Sequence, residues 1–201
     1  MLAVAESQMT RLLEVRDVLT FSFDFELLEE PIASEEYATP SPWVPAFRVP
    51  NASAQIVGRD ATGGVYVSCL LPGPRQTYLH IDTQGHAALL GSDLEHALAL
   101  LIALPYWHQL LLEAPSEDLE ALRDLAAHLE REVCDDLPDL QAARAYLHDF
   151  LQLPALSDPV KYLHALSVER EAVTVLSPHG WRYTSPLSSA KSQRFASIPP
   201  A

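Results

Sequence analysis

The sequence predicts an α+β fold, an antiparallel sheet of about four to six strands packed against helices with a helix-rich C-terminal half. Three observations carry that expectation. Between residues 54 and 90, short stretches of alternating apolar and polar residues are separated by Gly- and Asp-containing turns, the pattern of a meander. From Leu94 onward apolar residues recur at three- and four-residue spacing, as on one face of a helix. With 201 residues, 48% apolar and 20% charged, the chain can bury a core without metal or disulfide, and its composition excludes wholesale disorder. One domain over residues 1–188 is expected, followed by a poorly ordered tail over 189–201, where Ser, Lys and Pro concentrate.

Residues 1–19 read as a helix with an imperfect apolar stripe through Met9, Leu12, Leu13 and Leu19. Phe21 to Phe25 alternates aromatic and polar residues and predicts a short half-buried strand. Between Glu29 and Pro50 five prolines predict an irregular connection, pinned to the core by Trp43 and Phe47. Strands are expected over 54–58, 64–71, 76–82 and 86–90. The first two flank Asp60-Ala-Thr-Gly-Gly64, where paired glycines suit positive φ or close backbone approach.

Ser92-Asp-Leu-Glu95 has the spacing of a capping box, so a helix is predicted from there until Pro105 interrupts it. A kink or a fresh turn then carries Tyr106-Trp107-His108 onward through Leu112. Ser116 caps the next helix, which buries Leu119, Leu122, Leu125, Ala126 and Leu129 and runs to about Val133. Asp139 to Leu153 follows as a further helix, and residues 172–184 read as a terminal hairpin with a Gly-containing turn.

Charge narrows the class of partner. With 27 acidic and 13 basic side chains the formal net charge is −14. Such a chain repels phosphate backbones and anionic membrane surfaces, so direct binding to nucleic acid or membrane is not expected, and a basic protein is its natural complement. The sequence leaves the oligomeric state open. Only Cys69 and Cys134 are present, the opening residues lack a signal-peptide pattern, and no apolar run is long enough for a bilayer. A cytoplasmic protein is therefore expected.

No cluster of residues amounts to a catalytic centre, so neither enzyme activity nor a cofactor or metal is expected. His80, Asp82 and His86 are competent metal ligands, but a turn intervenes before His86, and a polar solvent face on a hairpin explains them better. Cys69 reads as a buried structural thiol rather than a nucleophile. Gly63-Gly64 lacks the Lys and the following helix of a phosphate loop. The paired acids Glu29-Glu30, Glu35-Glu36 and Asp135-Asp136 read as solvated charge. The stretch 113–139 carries ten acidic residues against Arg123 and Arg131. From it Glu117, Asp118, Glu120, Asp124 and Glu130 are the candidate partner-binding residues, with Trp107 or Trp43 as an apolar anchor wherever it is exposed.

Asp60-Ala-Thr-Gly-Gly-Val-Tyr66, the hairpin ending in Gly85, and the helix from Ser92-Asp-Leu-Glu95 to Leu104-Pro-Tyr-Trp107 together resemble the SUKH superfamily. The resemblance covers about a quarter of the chain. It implies a compact α+β domain that binds proteins, as in bacterial immunity proteins that neutralise polymorphic toxins, often nucleases, and in fungal regulatory interaction proteins. Asp60, Gly63 and Gly64 carry over as structural motif positions only. Val65 stands where that pattern favours an acidic or polar residue, and the helices after Trp107 extend beyond its usual core. The expectation is an immunity protein acting by stoichiometric occlusion, with a regulatory or scaffold protein without a toxin partner as the alternative.

Overall fold

A computed structural model describes residues 10–33, 47–71, 76–114, 117–168, 173–177 and 179–187. Its centre is a five-stranded antiparallel sheet in sequential order: β1 (Glu26–Ala33), β2 (Ser53–Arg59), β3 (Val65–Leu70), β4 (Gln76–Ile81) and β5 (Ala87–Gly91). The described helices are α1 (Arg16–Phe23), α2 (Leu94–Ala103), α3 (Trp107–Glu113), α4 (Leu119–Asp136), α5 (Leu140–Leu151) and α6 (Pro159–Val168), and residues 10–14 are also helical. The α+β class, the meander and the helical C-terminal half are as the sequence predicts.

Both faces of the sheet are covered, which is why β3 is buried along nearly its whole length. Tyr66, Tyr78, Ala88 and Leu90 face the helices and join a core built from α1 to α6. Ile56, Val65, Val67, Cys69, Leu79 and Ile81 face the other way and form a second core under Phe47, Val49 and Val175. Alternation of side chains along each strand sorts residues between these layers. The expected terminal hairpin is present as isolated bridges rather than strands. Leu176 pairs with Arg48 and Arg182, while Thr184 pairs in parallel with His86. Thr184 thereby covers part of the β5 edge, accepting from the Ala87 N–H at 2.9 Å.

Several boundaries differ from expectation for identifiable reasons. Phe21 to Phe25 is not a strand: α1 continues to Phe23, burying Leu19 and Phe23 while Phe21 is 81% exposed. The four-residue spacing of Val15, Leu19 and Phe23 outweighs the two-residue spacing of the phenylalanines, and Asp24 in the left-handed region ends the helix. Residues 29–33, expected to be irregular, continue β1 through a bulge between Leu27 and Ile32 that accommodates Pro31 at the sheet edge. Helix α2 is capped by Asp93, whose side chain accepts the His96 N–H, not by Ser92. Helix α4 is capped by Asp118 and runs to Asp136, three residues beyond Val133. Helix α6 was not anticipated, although Asp158 accepting the Lys161 N–H ahead of Pro159 is a recognisable start. Trp43, Glu35, Glu36, Ser116, residues 1–9 of the expected first helix and the expected 189–201 tail lie outside the described residues.

Arg144 ties the helical layer together. Its guanidinium donates to the Ile102 and Ala103 carbonyls at 3.0 Å each, satisfying acceptors at the end of α2, and forms a two-pronged ion pair with Glu130 on α4. Among the described residues no helix is long and apolar enough to cross a membrane.

Candidate functional site

At one end of the sheet, two aspartates organise two turns and each holds a histidine. Asp60 opens the β2–β3 turn. Its Oδ1 accepts from the Thr62 N–H, the Thr62 hydroxyl and the Gly64 N–H, each at 2.8 Å. Its Oδ2 lies 2.7 Å from His80 Nε2 on β4. Gly63 takes φ +89°, the left-handed region that favours glycine. Gly64 serves the other purpose, close approach: a Cβ there would sit 2.4 Å from Asp60 Oδ2 and 2.5 Å from His80 Nε2. The paired glycines therefore make room for the Asp60–His80 contact.

The β4–β5 turn repeats the device. Asp82 Oδ1 accepts the Gln84 and His86 N–H groups at 2.9 and 2.8 Å, and Oδ2 lies 2.7 Å from His86 Nδ1. His108, in the first turn of α3, places Nε2 3.4 Å from Asp82 Oδ2, where this nitrogen is buried without a hydrogen-bond partner. His80 is enclosed by rings, with the Tyr66, Trp107 and His108 centroids at 5.0, 5.0 and 5.1 Å. Asp24, beyond α1, reaches over the first turn and accepts the Ala61 N–H at 2.9 Å.

Burial and hydrogen bonding set the protonation of these groups. Burial pushes the Asp60 carboxyl up, but the bonds from His80, Thr62 and Gly64 outweigh it and hold the group at about 2. Asp82 is likewise penalised by burial, yet the His108 imidazole 3.4 Å away, a close approach short of a formed hydrogen bond, and the bonds from the His86 imidazole and N–H keep it well below the usual carboxylate range. Burial lowers His80 despite the raising effect of Asp60, so His80 is neutral and donates its Nε2 proton to an ionised Asp60. Asp24 is raised, chiefly by burial.

This arrangement corrects the expectation of a solvent-facing hairpin: His80 and Asp82 are only 2% and 3% exposed. Helix α3 covers that face, a packing that strand alternation alone does not reveal. Among the described residues no group of three or more His, Cys, Asp or Glu side chains is placed to hold a metal ion. Cys69 lies in the opposite core, its thiol pushed up by burial to about 12, so it is no partner for these histidines. With every Asp60 and Asp82 oxygen engaged inside the protein, the two dyads act as turn clasps. Asp60 and Gly64 were visible in the sequence as turn residues; His80, Asp82, His86, His108 and Asp24 were not legible as one cluster.

The second candidate is the outer side of α4. At about 3.6 residues per turn, Glu120, Asp124, Arg131 and Asp135 lie opposite the buried Leu122, Ala126 and Leu129. Glu117, Asp118, Glu120, Asp124, Glu132, Asp135 and Asp136 are exposed. Glu120 pairs with Arg123, which also reaches Asp158 at 2.6 Å. Asp118 is committed to its cap, and the Glu117 carbonyl lies 2.7 Å from His164 Nε2. Glu130 points inward to Arg144, so its role is internal. Trp107 is 3% exposed, packed against His80 and His108, and does not meet the condition for a surface anchor. Among the described residues the exposed indole is that of Trp181, on the turn closed by Ser177 and Gly180.

In comparisons with known proteins the chain matches no family model, no curated protein and no solved structure.

Proposed function

We propose that this chain is a non-enzymatic protein-binding domain of the SUKH kind, most specifically an immunity protein that occludes a basic toxin surface in stoichiometric complex. The observation that carries the reading is the exposed acidic side of α4, where Glu120, Asp124 and Asp135 share one ridge with Arg131 on a stably anchored helix. Such a ridge accelerates encounter with a basic partner and suppresses acidic ones. The anchoring supports this reading too: Arg144 fastens α4 through Glu130 to the end of α2, so the surface is presented by a rigid element. The internal commitment of Asp60 and Asp82 to turn N–H groups favours binding over acid–base catalysis.

The test is a pull-down with this chain from its native cell, followed by co-expression with any basic toxin domain recovered and purification of the complex; recovery of no such domain counts against the reading. Wild type is expected to protect the cell and co-purify at one to one. The variant Glu120→Lys/Asp124→Lys/Asp135→Lys is expected to lose both while retaining its circular dichroism spectrum. Protection by the folded triple variant at wild-type level overturns the reading.

A further inference from the structure

The polar cluster has a property beyond holding turns: its parts come from several elements, and α3 rests on them. His80 on β4 is faced by Asp60 from the β2–β3 turn, Tyr66 from β3, Asp24 beyond α1, Asp82 and His86 from the β4–β5 turn, and His108 from α3. Tyr183 from the C-terminal segment lies within the field of Asp82. Helix α3 rests on this cluster through Trp107 and His108, both against the His80 ring.

We propose that this cluster is a proton-operated catch on α3, closed while His80 is neutral and opened when His80 takes a second proton. The location of that proton is the reason. His80 Nε2 already carries one, shared with Asp60 over 2.7 Å, so the incoming proton binds Nδ1. Asp60 Oδ1 is occupied by three other donors and is not free to follow. The new charge therefore spreads over a ring enclosed by Tyr66, Trp107 and His108, with little water to solvate it. Releasing α3 exposes the ring and hydrates the cation.

The sign follows from linkage. The enclosed imidazole has a proton affinity below its ordinary 6.5, whereas the opened one regains it. Opening therefore takes up a proton, and its equilibrium constant grows as pH falls below that value. Between about pH 7.5 and about pH 5.5 the opened population rises by at most about tenfold, the limit set by an opened imidazole at its ordinary value.

Hydrogen exchange on the full chain, corrected for intrinsic rates, reads this at the Leu110 amide of α3, which donates to the Tyr106 carbonyl at 2.8 Å. The expected result is a progressive loss of protection at Leu110 as pH falls over that range, of up to about tenfold, with the Leu122 amide in α4 unchanged. His80→Gln keeps an N–H for Asp60 but cannot titrate, and its α3 protection is expected to be independent of pH. Equal loss in α3 and α4, no loss at all, or a preserved acid response in His80→Gln overturns the proposal. Should that variant not fold, nitrogen-15 spectra of the wild-type imidazoles decide. His80 is expected to gain its Nδ1 proton only as α3 loses protection, and protonation with α3 still protected overturns the catch.

Discussion

Replacing Gly64 by alanine tests the geometry at the centre of the account. The added Cβ would stand 2.4 Å from Asp60 Oδ2, 2.5 Å from His80 Nε2 and 2.9 Å from His80 Cε1. Relief requires the carboxylate and imidazole to part by the better part of an ångström, and neither is free to move. Asp60 is held by Thr62 and Gly64 donors, and His80 is enclosed by three rings. The 2.7 Å contact must therefore break. A charge-assisted bond contributes roughly 1.5–3 kcal/mol, and leaving its partners buried adds to that, so a loss of about 3 kcal/mol is expected. For a chain of this length the melting temperature then falls by roughly 6–12 °C. Gly85→Ala is the control: its φ of +94° is strained for alanine, but nothing lies within 4 Å of the new Cβ. Its cost is the backbone preference alone, roughly 1–2 kcal/mol. Thermal and urea melts of the two variants check the ordering, and a Gly64→Ala protein at or above the stability of Gly85→Ala refutes the reasoning.

Stability should fall with acid in two steps. His80 is depressed below 6.5, so its contribution is full above that value and declines as pH drops beneath it. Asp60 is lowered from 3.8 to about 2, so its contribution, roughly 2 kcal/mol, is complete above 3.8 and disappears as pH falls through about 2. Urea titrations across pH measure both, and a flat profile from neutral to pH about 4 contradicts the first. Arg144→Met is expected to cost about 2–3 kcal/mol by stranding Glu130 and two α2 carbonyls, read by thermal melting, whereas Glu130→Gln, which keeps an acceptor, costs less. Asp124→Lys on the exposed ridge should change stability by less than about 0.5 kcal/mol, which separates any binding defect from misfolding.

Much of the sheet was legible because its signals are local. Val65 and Val67 alternate with Tyr66 and Ser68, and the two layers separate them as that pattern requires. Pro105 stops α2, and Gly63 and Gly64 divide between positive φ and close approach, the two uses that paired glycines serve. The failures are tertiary. Phe21, Phe23 and Phe25 carry a strand period, yet burial of Leu19 and Phe23 against the helical layer decides for helix. His80 finds Asp60 twenty residues away, and His108 reaches Asp82 only after α3 folds back over the sheet. Polar residues alternating on a strand read as wet until the covering helix is placed. Glu130 had the composition of a surface acid, but only the position of Arg144 on α5 shows that it faces inward.

The central claim is that the outer side of α4 recruits a basic protein. Calorimetric titration of a basic protein domain recovered with this chain from its native cell, into wild type and into the Glu120→Lys/Asp124→Lys/Asp135→Lys variant, measures it directly. The account predicts one-to-one binding to wild type that weakens with added salt, and loss of binding in the folded variant. Equal affinity for the two proteins, independent of salt, would contradict it.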